Sequence, residues 1–200
     1  MTQQVTHEQE KHTSFARGIR YRYFTFKRLV EMPLVELDNV FARGQMPDIE
    51  DLVGWEFRGC NTRKVTRLMG IRKFRKGFFR TEDTDPHELF GYNVQVRQNA
   101  TYDPFLALPN EFAPKKFGYY LVTPGRPHGP DNMHPQALLI DYSRGPENPP
   151  HEPANVLRDY LVQVDPDNND LFLGKAYAAL GPKRVFLSYF VLERYNHIGL

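Results

Sequence analysis

The sequence predicts an all-β fold: a closed, antiparallel up-and-down barrel of about eight strands, preceded by a short N-terminal helix. Three observations carry this expectation. The 200 residues include 15 Phe and 11 Tyr, types that suit a pleated, half-buried surface. Runs rich in Val, Leu, Phe or Tyr recur after residue 54, bounded by turn chemistry such as Asp83-Thr84-Asp85-Pro86, Thr123-Pro124-Gly125 and Gly181-Pro182. Cys60 is the single cysteine, so neither a disulfide framework nor a cysteine zinc site holds the core together. Closure into a barrel removes exposed strand edges. A two-sheet sandwich is the competing architecture, and alternation alone does not separate the two.

Residues 1–14 are polar and read as a disordered tail, and 15–28 (FARGIRYRYFTFKR) as an extended basic and aromatic arm. Residues 29–200 then form one barrel domain. Leu34, Leu37, Val40 and Phe41 recur at helical spacing within 31–43, Gly44 stands at the C-cap and Pro47 follows. Residues 61–69 suggest a second short helix, capped by Asn61 or Thr62. The strands are expected at 55–60, 71–80, 89–97, 117–123, 137–142, 157–164, 171–178 and 185–194. The last two connections are short enough for hairpins. Eleven of the 16 prolines fall between 104 and 153, and three long loops there (98–116, 124–136, 143–156) have the length of lids or binding rims.

Charge is segregated although the net value is only +2: residues 58–80 hold nine bases and no acid, whereas 29–57 hold seven acids and one base. The basic run reads as a solvated face balanced by the acidic helix, with an anionic partner as the sharper alternative. Cations interleaved with aromatics in IRKFRKGFFR suit a phosphate backbone, but so modest an overall charge disfavours nucleic acid. No apolar run is long enough for a membrane-spanning helix, and the opening MTQQVTHEQEKH reads as neither signal nor transit peptide, so a cytoplasmic location is expected. Peripheral membrane contact through the arm stays open. The seven histidines show no metal-ligand spacing, and phosphate-binding, dinucleotide and serine-hydrolase motifs are lacking, so neither metal nor cofactor is expected.

Leu52-Val53-Gly54-Trp55-Glu56-Phe57-Arg58-Gly59 places a Gly-Trp at the start of the first strand, just after the helix. This arrangement resembles the calycin superfamily of lipocalins and fatty-acid-binding proteins. It is also similar to small bacterial domains with a Gly-x-Trp-x-Gly motif, although here Gly54 directly precedes Trp55 and Gly59 lies four residues after it. The tail LGKAYAALGPKRVFLSYFVLERY resembles the closing strands of bacterial lipocalin-like proteins. The resemblance covers residues 31–195 and implies that Trp55 plugs the closed end of the barrel with Arg194 packed across it.

A barrel that carries an apolar anion needs an apolar lining and a few cations or hydroxyls for the head group. Alternation along the strands offers Arg158, Tyr160, Lys175, Tyr177 and Tyr189 as inward polar groups, with Asp141 nearby; a structural Arg158–Asp141 pair is the plain alternative. The expected function is binding of a small hydrophobic, anionic, lipid-like ligand rather than catalysis. The alternatives are a cofactor-free cyclase or isomerase using Asp141, Asp159 or Glu193 in the same barrel, and an interaction module acting through 58–80.

Overall fold

The computed structural model describes residues 24–62, 71–125 and 128–198. Two short helices precede the barrel, α1 (Phe26–Glu31) and α2 (Leu34–Arg43), followed by a 3-10 turn at Ile49–Asp51. Eight strands follow: β1 (Trp55–Asn61), β2 (Lys73–Phe79), β3 (Leu89–Gln95), β4 (Lys116–Pro124), β5 (Leu138–Asp141), β6 (Leu157–Gln163), β7 (Leu171–Leu180) and β8 (Lys183–His197). Each pairs antiparallel with the next, and β8 pairs with β1, closing the barrel and excluding the sandwich. The suggested helix at 61–69 lies outside the described residues from 63 onward; Asn61 itself ends β1.

The arm differs from its extended reading. Thr25 caps α1 by accepting from the Arg28 amide, and Phe26, Leu29 and Val30 are buried. Residues 26–28 thus belong to the layer outside the barrel wall, while 15–23 lie outside the described residues. Gly44 closes α2 as expected, but for a different reason. Its φ is −65°, and a Cβ there would stand 2.6 Å from Val162 Cγ2 on the barrel wall. It is needed for close approach, not for a left-handed turn.

Two apolar layers share the strands. Inside the barrel, Phe57 meets Phe78 on the neighbouring strand and Phe172 two strands away, at ring separations of 5.6 and 5.4 Å. Tyr120, Val122, Ile140, Leu161, Phe190 and Leu192 complete this core. Glycine makes room for the rings: a Cβ at Gly174 would lie 2.0 Å from the Phe190 ring. Outside, Phe41 of α2 meets Tyr189 and Phe26 of α1 meets Phe105, and Leu29, Leu37, Leu139, Tyr160, Val162 and Leu173 belong to the same second cluster. Both faces of these strands are therefore buried and apolar.

The basic run is not a solvated face among its described members. Lys73 donates to Asn99 Oδ1 and to the carbonyls of Ala100 and Asp103. Arg75 pairs with Glu111 and donates to the Phe105 carbonyl. Arg58 pairs with Glu193, Arg80 with Glu50, and Arg72 donates to backbone carbonyls of Gln98 and Asn99. Segment 98–116 is thus a strap whose carbonyls solvate Arg72, Lys73 and Arg75. Arg63, Lys64 and Arg67 lie outside the described residues.

Candidate functional site

The two ends of the barrel differ. At one end Arg194 spans Asp170, donates to the carbonyls of Asp51 and Asn169, and holds its guanidinium 4.5 Å from the Trp55 ring centroid. His197 stacks edge-on against Trp55, and Leu52 is fully buried there. This end is filled.

At the other end lies a cavity of about 160 Å³. Its walls are apolar, with Phe74 and Phe190 deep in it and Ile71, Phe117, Leu157 and Leu187 nearer the surface. Six polar side chains line it, each from a different strand or turn: Asn61, Lys76, Asn93, Tyr142, Asp159 and Ser188. Lys76 sits between Phe74 and Phe78 on the inner face of β2 and is 1% exposed. Its ammonium donates to Asn93 Oδ1 at 3.1 Å and to the Tyr142 hydroxyl at 2.5 Å. Tyr142 in turn donates to Asp159 Oδ2 at 3.1 Å, which lies 3.8 Å from Lys76 Nζ. Asp159 Oδ1 is buried and has no hydrogen-bond partner among the described residues.

Local backbone features place these groups. The β3–β4 register shifts at Gly91/Asn93, and Gly118 opposite takes φ 53°, which lets its carbonyl accept from Asn93 Nδ2 at 3.0 Å. Tyr142 begins a 3-10 turn (Tyr142–Arg144) capped by Asp141, whose carboxylate accepts from the Ser143 amide. Asp159 stands on the inner face of β6, between Leu157 and Leu161.

Burial sets the electrostatics. It pushes Lys76 down to about 8, against the attraction of Asp159. It pushes Asp159 up to about 6, against Lys76 and the Tyr142 hydrogen bond. Tyr142 is held well above the usual phenol range by burial and by the neighbouring carboxylate. Among the described residues, no group of three or more His, Cys, Asp or Glu side chains is arranged to hold a metal ion.

The inward assignment of Arg158, Tyr160, Lys175, Tyr177 and Tyr189 is corrected: all five stand on the outer face. Alternation relates residues on one strand but does not say which set points in, and α2 with its neighbouring loops makes the outer set look like a core. Arg158 forms the ion pair with Asp141, at 3.1 Å, and adds Asp131 at 3.5 Å. Lys175 pairs with Asp38 of α2 at 2.7 Å, and Tyr189 donates to the same carboxylate. The Tyr177 hydroxyl meets His134 Nε2 at 2.9 Å, while the buried Tyr160 hydroxyl has no partner among the described residues. Lys175, Tyr177 and Tyr189 do converge, but on a groove beside α2. Of the cavity's polar side chains, the sequence singled out only Asp159, as one strand acid among three. Lys76 was hidden in the basic run. Its signal was the alternation Phe74-Lys76-Phe78, a lone cation between aromatics on one strand face.

No family model matches the chain, and no curated protein does. Among solved structures it is similar to a crystal structure of a protein from Thermomonospora curvata. The two share 14% identity with a TM-score of 0.44, over 83% of this chain and 90% of that one. No helix among the described residues is long and apolar enough to cross a membrane.

Proposed function

We propose that the barrel binds a small hydrophobic molecule through the end opposite Trp55, with a hydrogen-bond donor on the ligand meeting Asp159. The observation that carries this reading is a buried carboxylate oxygen without a partner among the described residues, on a residue that lines a mainly apolar cavity. A buried, unsatisfied acceptor costs about 1–3 kcal/mol, which a ligand hydroxyl or N–H recovers. The volume suits one ring with short substituents, since an engineered apolar cavity of about 150 Å³ accepts benzene. A longer tail has to leave through the rim at Phe117 and Leu157.

An anionic head group fits less well than the sequence suggested. Lys76 is the cation in the lining, and Asp159 already balances it. The packing of Arg194 on Trp55 supports a calycin-like reading of the barrel.

The test has two steps. Native mass spectrometry of protein purified from cells looks for a bound small molecule. Titration with benzyl alcohol and benzoate, read by NMR shifts of cavity-lining residues, then compares donor with anion. Benzyl alcohol is expected to bind at least tenfold more tightly, and Ala176→Phe to abolish the shifts. Tighter binding of benzoate, or shifts that survive Ala176→Phe, would sink the reading.

A further inference from the structure

The polar side chains of the cavity do more than satisfy one another. A carboxylate, a phenol and an ammonium stand in sequence, and the carboxylate lies at the cavity wall. Tyr142 is shared: its hydroxyl accepts from Lys76 and donates to Asp159. Lys76 carries three N–H groups: two go to Asn93 and Tyr142, and the third meets only the long contact to Asp159 Oδ2 at 3.8 Å and the Tyr120 ring at 4.3 Å, weaker partners that an incoming oxygen can displace. Asp159 has one oxygen engaged by Tyr142 and one free. An oxygen to receive a proton and donors to hold negative charge therefore occur together in an apolar site, the arrangement that enolisation needs.

We propose that this cavity is a proton-transfer site for small hydrophobic ketones, with Asp159 as the base and Lys76, supported by Tyr142, as the group that holds the carbonyl oxygen. The proposal rests on the cavity-binding reading above. In the forward step Asp159 takes a proton from the carbon next to the carbonyl. The C–H electron pair becomes the new C=C bond, and the carbonyl π pair moves to oxygen, where the Lys76 ammonium meets it. Asp159 then delivers a proton, either to the same carbon, which gives exchange once the proton on its carboxyl has been traded for one from solvent at the open end of the cavity, or to the far end of a conjugated system, which moves a double bond. Nothing is oxidised or reduced.

The protonation states agree with these roles. A carboxyl raised to about 6 is ionised at neutral pH yet basic enough to hold a proton, and an amine lowered to about 8 is still charged there. The titratable groups around Asp159 are Lys76 of β2, Tyr120 of β4 and Tyr142 after β5. Both tyrosines are held in the neutral form, so Lys76 and Asp159 set the profile.

The experiment follows deuterium uptake at the α-carbons of 2-indanone in D2O by proton NMR, alongside a binding titration with the same probe. Wild-type protein is expected to accelerate exchange about 100-fold or more over matched buffer, saturably, the contribution typical of a positioned acid–base group. Asp159→Asn should lose that acceleration, and Tyr142→Phe should lose about tenfold. The wild-type rate should rise through about pH 6 and fall through about pH 8. Indanone that binds but exchanges at the buffer rate would overturn the proton-transfer proposal and leave the binding reading standing. An equally active Asp159→Asn would overturn it too, and so would a flat pH profile, a readout that holds even if the variant fails to fold. Indanone that does not bind at all would overturn the proton-transfer proposal, whereas the donor-binding reading is decided by the benzyl alcohol titration.

Discussion

The barrel wall carries the same three residue types twice, once on each side. Lys76, Asp159 and Tyr142 meet inside; Lys175, Asp38 and Tyr189 meet outside, where α2 lies on the wall. The inner ion pair is almost fully enclosed, with side chains 1% and 5% exposed, whereas the outer pair is 14% and 63% exposed. The chemistry is alike and the electrostatic result is opposite. Outside, hydrogen bonds from Lys175 and Tyr189 hold Asp38 below the usual carboxylate range. Burial opposes the charge on Lys175, but its bonds to Asp38 and Tyr189 win and raise it. Inside, burial outweighs the partner in both cases, so the acid rises and the amine falls. Solvent access decides whether a Lys–Asp–Tyr cluster ties two elements together or is poised to exchange protons.

Removing one partner should separate the clusters most clearly. Lys76→Met strands a buried carboxylate and is expected to cost about 3–5 kcal/mol in urea unfolding, most of it regained in Lys76→Met/Asp159→Leu. Lys175→Met leaves Asp38 facing water and should cost about 1 kcal/mol or less. Equal losses would break the comparison. Removing one hydroxyl is the next largest effect. Tyr142→Phe takes a donor from a buried carboxylate and should cost about 1–3 kcal/mol. Tyr177→Phe gives up its bond to the half-buried His134 and its contact with Lys175, both at the edge of the outer groove, and should cost about 1 kcal/mol.

The smallest effect is a difference in pH dependence. Burial, then the nearby Lys175 charge, lowers His134 to about 4, so between pH 4 and 6.5 the unfolded chain binds more protons there and stability rises with pH. Asp159 works the other way: raised from 3.8 to about 6, it binds its proton more tightly when folded, so stability falls as pH climbs through that window. The urea midpoint at pH 6.5 minus that at pH 4.5 should therefore fall in His134→Gln and rise in Asp159→Asn, both relative to wild type. Identical shifts in the two variants would contradict the assignment of opposite signs.

Strand existence was legible in the sequence because apolar runs and turn chemistry are local. All eight expected runs overlap the observed strands, and the pairing of β7 with β8 follows from their two-residue connection. Inside and outside were not legible. On LRDYLVQV, Leu161 faces the interior and Val162 faces α2, and both are fully buried. Once helices cover a barrel wall, alternation no longer distinguishes core from surface. The basic run misled for a related reason. A cation reads as solvated, yet Lys73 and Lys76 reach full burial because carbonyls and side chains 17 to 66 residues away take the place of water. Asp141 was noticed for the right neighbour, Arg158, but its place in capping the turn that presents Tyr142 depends on three-dimensional context.

The ring is closed by its first and last described strands, with Asn61 facing Phe190 and Cys60 facing Val191. During synthesis this seam has no partner until β8 leaves the ribosome. Until then β1 and β7 are open edges and the cavity lacks the wall that Leu187, Ser188 and Phe190 provide. Such long-range pairing folds slowly and exposes apolar edges to neighbouring chains. Truncation within β8 is therefore expected to release an aggregating chain rather than a weaker binder, and the nascent protein should depend on a holding chaperone until its final hairpin emerges.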